Sequence, residues 1–139
     1  MKASELRIGN YVSVDNQDSW RNLEGVTLVV TGINNHIDTQ DKEFFPDSDG
    51  KVNLKSEFET YGQFSQFIAP IPISEEWIIK FGFEKNRDYK HPFAPIYFIE
   101  IRNEWICFLH NCTHRRIKYV HQLQNLFHSI TVGEELELK

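Results

Sequence analysis

A chain of 139 residues that is 40% hydrophobic, with eleven Phe, five Tyr and three Trp, can bury roughly two thirds of its unfolded surface without disulfides or metals. Its composition excludes a chain disordered throughout. Fifteen basic against twenty acidic residues give a net charge of −5, which argues against a surface tracking nucleic acid or anionic membrane over its whole extent but leaves room for a local basic patch.

Met1 to Arg7 mixes charges, and nowhere do ~20 apolar residues follow one another, so neither a secretory leader nor a membrane span is expected and the setting should be cytoplasmic. Leu6 to Val14 predicts a turn at Gly9-Asn10 and a first strand over Tyr11–Val14. Asp15 to Asn22 reads as a polar loop. The β-branched run Val26 to Ile33 is a second strand, and His36 to Thr39 reads as a third, paired across Asn34-Asn35. Together these predict a small antiparallel, barrel-like lobe over residues 1–72.

Residues 40–57, which include Asp47-Ser48-Asp49-Gly50, are expected to form a long polar excursion and the most mobile part of the chain. Aligning Gly50 with the glycine of a calcium loop puts Phe45 and Ser56 where the first and last carboxylates belong, so calcium is rejected. Phe58, Tyr61, Phe64 and Phe67 recur every third residue, predicting a short helical or 3₁₀ turn or an irregular lid whose rings close over the core.

A second α+β lobe is expected over 73–139. Ser74 is placed as an N-cap, Glu75 and Glu76 suit the helix dipole, Ile73 and Ile78 form a staple, and Gly82 stops the helix. Phe83 to Lys85 begins a strand, and a loop runs through Pro92 and Pro95. Ile96–Arg102 and Trp105–Leu109 predict a hairpin turning at Asn103-Glu104, and Arg115–Lys118 extends the sheet after a turn at Asn111–His114. Val120, Leu123, Phe127 and Ile130 lie on one stripe of a closing amphipathic helix ended by Gly133, and Glu135–Leu138 reads as a short edge strand.

Three blocks, Leu6 to Val12, Pro70 to Trp77 with Lys80 to Phe83, and Ile117 to Phe127 with Gly133 to Leu136, resemble an uncharacterised family of small Bacteroidetes proteins often found beside prophage or mobile-element genes. The resemblance does not extend to residues 34–65 or 86–116. It implies a phage or mobile-element context and brings no activity, cofactor or catalytic residue with it.

Cys107, His110, Cys112 and His114 lie within eight residues, with His121 near in sequence. Structural zinc sites pair ligands across a short knuckle and collect a second pair at a distance, whereas Cys107 and His110 point to opposite faces of a strand; no metal is expected and both cysteines should be free thiols. Arg115, Arg116 and Lys118, beside His114, form the one basic cluster, a candidate patch for an anion or nucleic acid. No phosphate-cradling glycine loop, strand-elbow serine or paired helix histidines occur, and no catalytic residue or cofactor is expected.

The polar side of the closing helix carries Gln122, Gln124, Asn125, His128 and Ser129 and no formal charge. Because charge is depleted at interface cores, Gln122, Gln124, Asn125 and His128 form a candidate face for a protein partner or a second copy, and His121, Asn125 and His128 share a surface row. The sequence therefore reads as a non-catalytic interaction or accessory protein of α+β class, with a nucleic-acid-associated protein using residues 114–121 as the alternative.

Overall fold

The computed structural model describes residues 1–15, 25–92, 94–102, 105–110, 113–131 and 133–138. The fold is mixed α+β, with two antiparallel five-stranded sheets, and it divides into two compact units, Met1–Ile71 and Pro72–Lys139.

The first unit holds β1 (Tyr11–Val14), β2 (Leu28–Asn34), α1 (Thr39–Phe44), β3 (Lys51–Lys55), β4 (Thr60–Phe64) and β5 (Ile68–Ala69). Its sheet runs β4-β3-β2-β1-β5 and curls into a half-barrel. Period-two alternation sends Val12 and Val14, Leu28 and Val30, and Val52 and Leu54 to one side, where Ala3, Leu6 and Ile68 complete the core. A register shift between Val30 and Gly32 bends β2.

Four expectations for this unit need correction. His36 to Thr39 is not a strand: Asp38 caps α1 by accepting from the Asp41 N–H at 2.8 Å, and the short polar side chain wins that segment for a helix start. The excursion over 40–57 is instead α1 and β3. The Asp47–Gly50 loop is a bonded hub rather than a mobile tip. In it, Asp49 Oδ1 accepts from the Ala3 N–H at 2.7 Å and the Ser65 hydroxyl at 2.8 Å, the Ser48 hydroxyl donates to Gln66 Oε1 at 3.1 Å, and Lys42 Nζ donates to the Ser48 carbonyl at 2.7 Å. Finally, Tyr61 and Phe64 lie on β4, with a 3₁₀ turn only at Ser65–Phe67. Tyr61 packs on the core and Phe64 stacks on Phe45 at 4.0 Å, but Phe58 is 88% exposed. The polar loop expected over 15–22 lies outside the described residues beyond Asp15.

The second unit holds α2 (Glu75–Lys80), β6 (Glu84–Asn86), β7 (Asp88–His91), β8 (Ala94–Arg102), β9 (Trp105–His110), β10 (Thr113–Ile117) and α3 (Val120–Ile130). The strands form a meander in the order β10-β9-β8-β7-β6. Tyr89, Ile99, Phe108, Ile106 and Ile117 occupy facing register positions and are all buried, so they share one face of the sheet. Ile78 and Phe81 of α2 and its cap, and Val120, Leu123 and Phe127 of α3, are equally buried. Ser74 occupies the N-cap position of α2 without a side-chain cap bond, and Gly82 follows at φ 84°, the left-handed stop its sequence position predicts. The segment expected to be loop after Lys85 contains β7, entered through Arg87 at φ 70°. Glu135–Leu138 does not pair as a strand.

Candidate interaction surfaces

Helix α3, Val120–Ile130, has the predicted apolar stripe, but its polar side is not a free face. Gln124 is fully buried, and its Nε2 donates to the Leu136 carbonyl at 3.3 Å. Gln122 turns back to the helix start, where its Oε1 accepts from the N–H groups of Lys118 at 3.0 Å and Tyr119 at 3.3 Å, the glutamine half of a capping box. His128 Nε2 lies 3.4 Å from Glu135 Oε1, and Asn125 is half-buried. The Thr131 hydroxyl donates to the Phe127 carbonyl at 2.8 Å, and the Gly133 N–H donates to the His128 carbonyl at 3.1 Å. Gly133, at φ 104°, turns the chain back. The returning tail thereby lays Leu136, 2% exposed, against the amide-bearing side of α3.

The candidate face of Gln122, Gln124, Asn125 and His128 is thus corrected at its two glutamines, whose amides bond backbone of the same chain, while Asn125 and His128 stay half-buried. His121 is corrected as well. It is buried, its ring parallel to that of Tyr119 at 5.8 Å, and belongs to no surface row. A second buried histidine, His91, sets Nε2 3.1 Å from the Phe81 carbonyl and its ring edge-on to Phe127 at 4.7 Å. A cleft of about 490 Å³ lies between Phe81, His91 and Gly133–Leu138, lined on its polar side by Glu134, Glu135 and Glu137.

The basic cluster sits on β10, the end strand of the second sheet, and His114, Arg115, Arg116 and Lys118 are all exposed. Arg115 is registered with buried Phe108, and Arg116 with half-buried Cys107. The two guanidiniums therefore leave opposite faces of the sheet and do not form one patch. Cys112 lies outside the described residues, Cys107 and His114 share the outer face, and among the described residues no group of three or more His, Cys, Asp or Glu is placed to hold a metal.

One ring of the aromatic row expected to close over the core does not do so. The tip of the β3–β4 hairpin carries Phe58 between Glu57 and Glu59. Ser56 organises that turn: its Oγ accepts from the N–H groups of Phe58 at 3.2 Å and Glu59 at 3.0 Å. This fixes Phe58 pointing into solvent. Strand β4 follows at the end of its sheet with Thr60 and Gly62 exposed. No charged residue occurs between Glu59 and Glu75, and that gap was the available signal. Asp49 behind it is an electrostatic anchor: burial pushes its carboxyl pKa up, but bonds from the Ala3 N–H, the Ser65 hydroxyl and the Ser4 N–H outweigh burial and hold it below the usual carboxylate value. Comparison with protein-family models, with curated proteins and with solved structures finds no match to this chain.

Proposed function

We propose that this chain is a cytoplasmic, non-catalytic interaction or accessory protein, in the phage or mobile-element setting implied by its family resemblance, and that its contact surface lies around Phe58 and β4. The observation that carries this reading is Phe58, 88% exposed at the head of an uncharged end strand. A phenyl group left in water forgoes about 1.5–3 kcal/mol that burial would return. The destination of the buried polar groups supports the same reading, since Asp49, Ser48 and Gln124 are spent on backbone and neighbouring side chains.

The test is association itself, by light scattering and by recovery of a partner from lysate. Phe58→Ser should reduce it at least fivefold with little change in melting temperature. A strictly monomeric protein that recovers no partner refutes the proposal. A second reading, association with nucleic acid through Arg115, Arg116 and Lys118, has exposed cations behind it but no single shared patch; it predicts DNA or RNA binding that weakens steeply with salt and is reduced in Arg115→Ala with Arg116→Ala. Absence of salt-dependent binding eliminates it.

A further inference from the structure

Resting on the interaction reading, we propose that β4 pairs antiparallel with β4 of a second copy of this chain, about a twofold axis through Gly62. The parity of the backbone is fixed by two bonds at the ends of the strand. The Ser65 N–H donates to the Gly50 carbonyl at 2.9 Å, and the Glu59 carbonyl accepts from the Ser56 N–H at 2.8 Å, so residues 59 and 65 face β3. By the two-residue alternation of a strand, the peptide groups of Thr60, Gly62 and Phe64 face away from the sheet. Consistent with this, the Phe64 N–H is met at 3.0 Å by the side chain of its neighbour Gln63, a cap that swings aside when a strand arrives.

Sheet ends are ordinarily protected by Lys, Pro, a bulge or a cover. Strand β4, Thr60-Tyr61-Gly62-Gln63-Phe64, has no charge and no proline, and its register with β3 runs unbroken from Lys51↔Phe64 to Lys55↔Thr60. Exposed Gly62 leaves its peptide group without a side-chain screen, and packing does not demand glycine there. A Cβ at position 62 would meet only Asn53 Oδ1, at an ordinary 3.6 Å.

The occupant follows from charge. The unit carries eleven acidic and six basic residues, yet the strand offers no charge to recruit an oppositely charged segment, so its complement is another uncharged strand. A second copy supplies one. The twofold register sets Gly62 against Gly62 and Thr60 against Phe64, with no like charges opposed, and an isologous contact closes as a dimer. It also brings Phe58 of each copy alongside Ser65–Phe67 of the other, covering the most exposed aromatic ring among the described residues.

One strand of five residues makes an interface at the small, weak end of the range, so the dissociation constant should be micromolar or higher. Sedimentation over a concentration series should show a monomer–dimer equilibrium that strengthens with added salt, because screening relieves repulsion between two acidic units. Gly62→Lys should weaken it at least about tenfold by placing like charges on the axis, and Gly62→Glu should do the same. Mixing the two variants should restore association, while Gly62→Ala should retain it, all three variants keeping the wild-type dichroism spectrum. A monomer at every concentration overturns the proposal, as does a dimer indifferent to Gly62→Lys or a mixture that fails to associate. A foreign partner still lost on Phe58→Ser would then leave the interaction reading standing without the β4 pairing.

Discussion

Replacing Asp49 by alanine should separate a bonded hub from an ordinary surface turn. The substitution removes the acceptor of the Ala3 N–H at 2.7 Å, of the Ser65 hydroxyl at 2.8 Å and of the Ser4 N–H. Hydrogen bonds to a charged group contribute about 1.5–3 kcal/mol each. Because Asp49 is half-buried and bonds sharing one carboxylate are not additive, the expected loss is about 3 kcal/mol. At about 4 °C per kcal/mol for a chain of this size, the melting temperature should fall by roughly 12 °C. The folded pKa of Asp49 lies below its unfolded value, so the stabilisation is complete above the unfolded value of ~3.9 and is lost as pH falls through the folded one. Urea titrations of wild type and Asp49→Ala should therefore differ at neutral pH and draw together in acid. A loss under about 1 kcal/mol at pH 7, or a gap that persists unchanged to about pH 2, refutes the hub.

Gln124→Glu should show the opposite pH behaviour. Full burial raises the folded pKa of the introduced carboxylate, which would face the Leu136 carbonyl, so a penalty of about 2–4 kcal/mol at pH 7 should disappear as pH falls and the acid becomes a donor. The check is the same urea series, and a pH-independent penalty counts against the assignment. Gly50→Ala would place a Cβ 2.6 Å from the Asn34 carbonyl and 2.9 Å from the Ala3 side chain, so calorimetry should record a destabilisation of about 1–3 kcal/mol. An unchanged melting temperature would mean the loop yields.

The legible parts of the fold were those decided within a few residues. The stripe Val120, Leu123 and Phe127, the left-handed Gly82 after α2, and the alternation in β1, β2 and β9 are local periodicities that burial turned into structure. The strand expected at His36–Thr39 was lost to a local cap, Asp38 on Asp41, but other misreadings share one cause, partners far away in sequence. Asp49 looks like a turn residue until Ala3, 46 positions earlier, donates to it. Strand β7 offers one large apolar residue, Tyr89, and is held by its register with Ile99. Gln124 looks exposed on a helical wheel because hydropathy takes no account of a tail that folds back.

Two stretches without formal charge on Asp, Glu, Lys or Arg stand out in this acidic chain, residues 60–74 and 119–133, and one argument covers both. A peptide group brought against a surface must exchange water for a hydrogen bond, and a charged side chain beside it would lose hydration in the same step. Surfaces that receive backbone therefore favour amides, hydroxyls and bare peptide groups. In the second stretch the backbone received is the chain's own, with the Leu136 carbonyl on Gln124 and the N–H groups of Lys118 and Tyr119 on Gln122. In the first, Ser65 and Gln66 receive the Asp47–Gly50 loop on one side, through the Ser65 hydroxyl bonded to the Asp49 N–H at 3.0 Å and the Gln66 N–H bonded to the Ser48 hydroxyl at 3.2 Å. The outward peptide groups of Thr60 and Gly62 lie on a strand that itself bears no formal charge and has, among the described residues, no strand beyond it. The lack of charge read on the helix as a docking face marks instead, at Gln122 and Gln124, backbone received from the same chain; on β4 the proposed pairing would supply that backbone from a second copy.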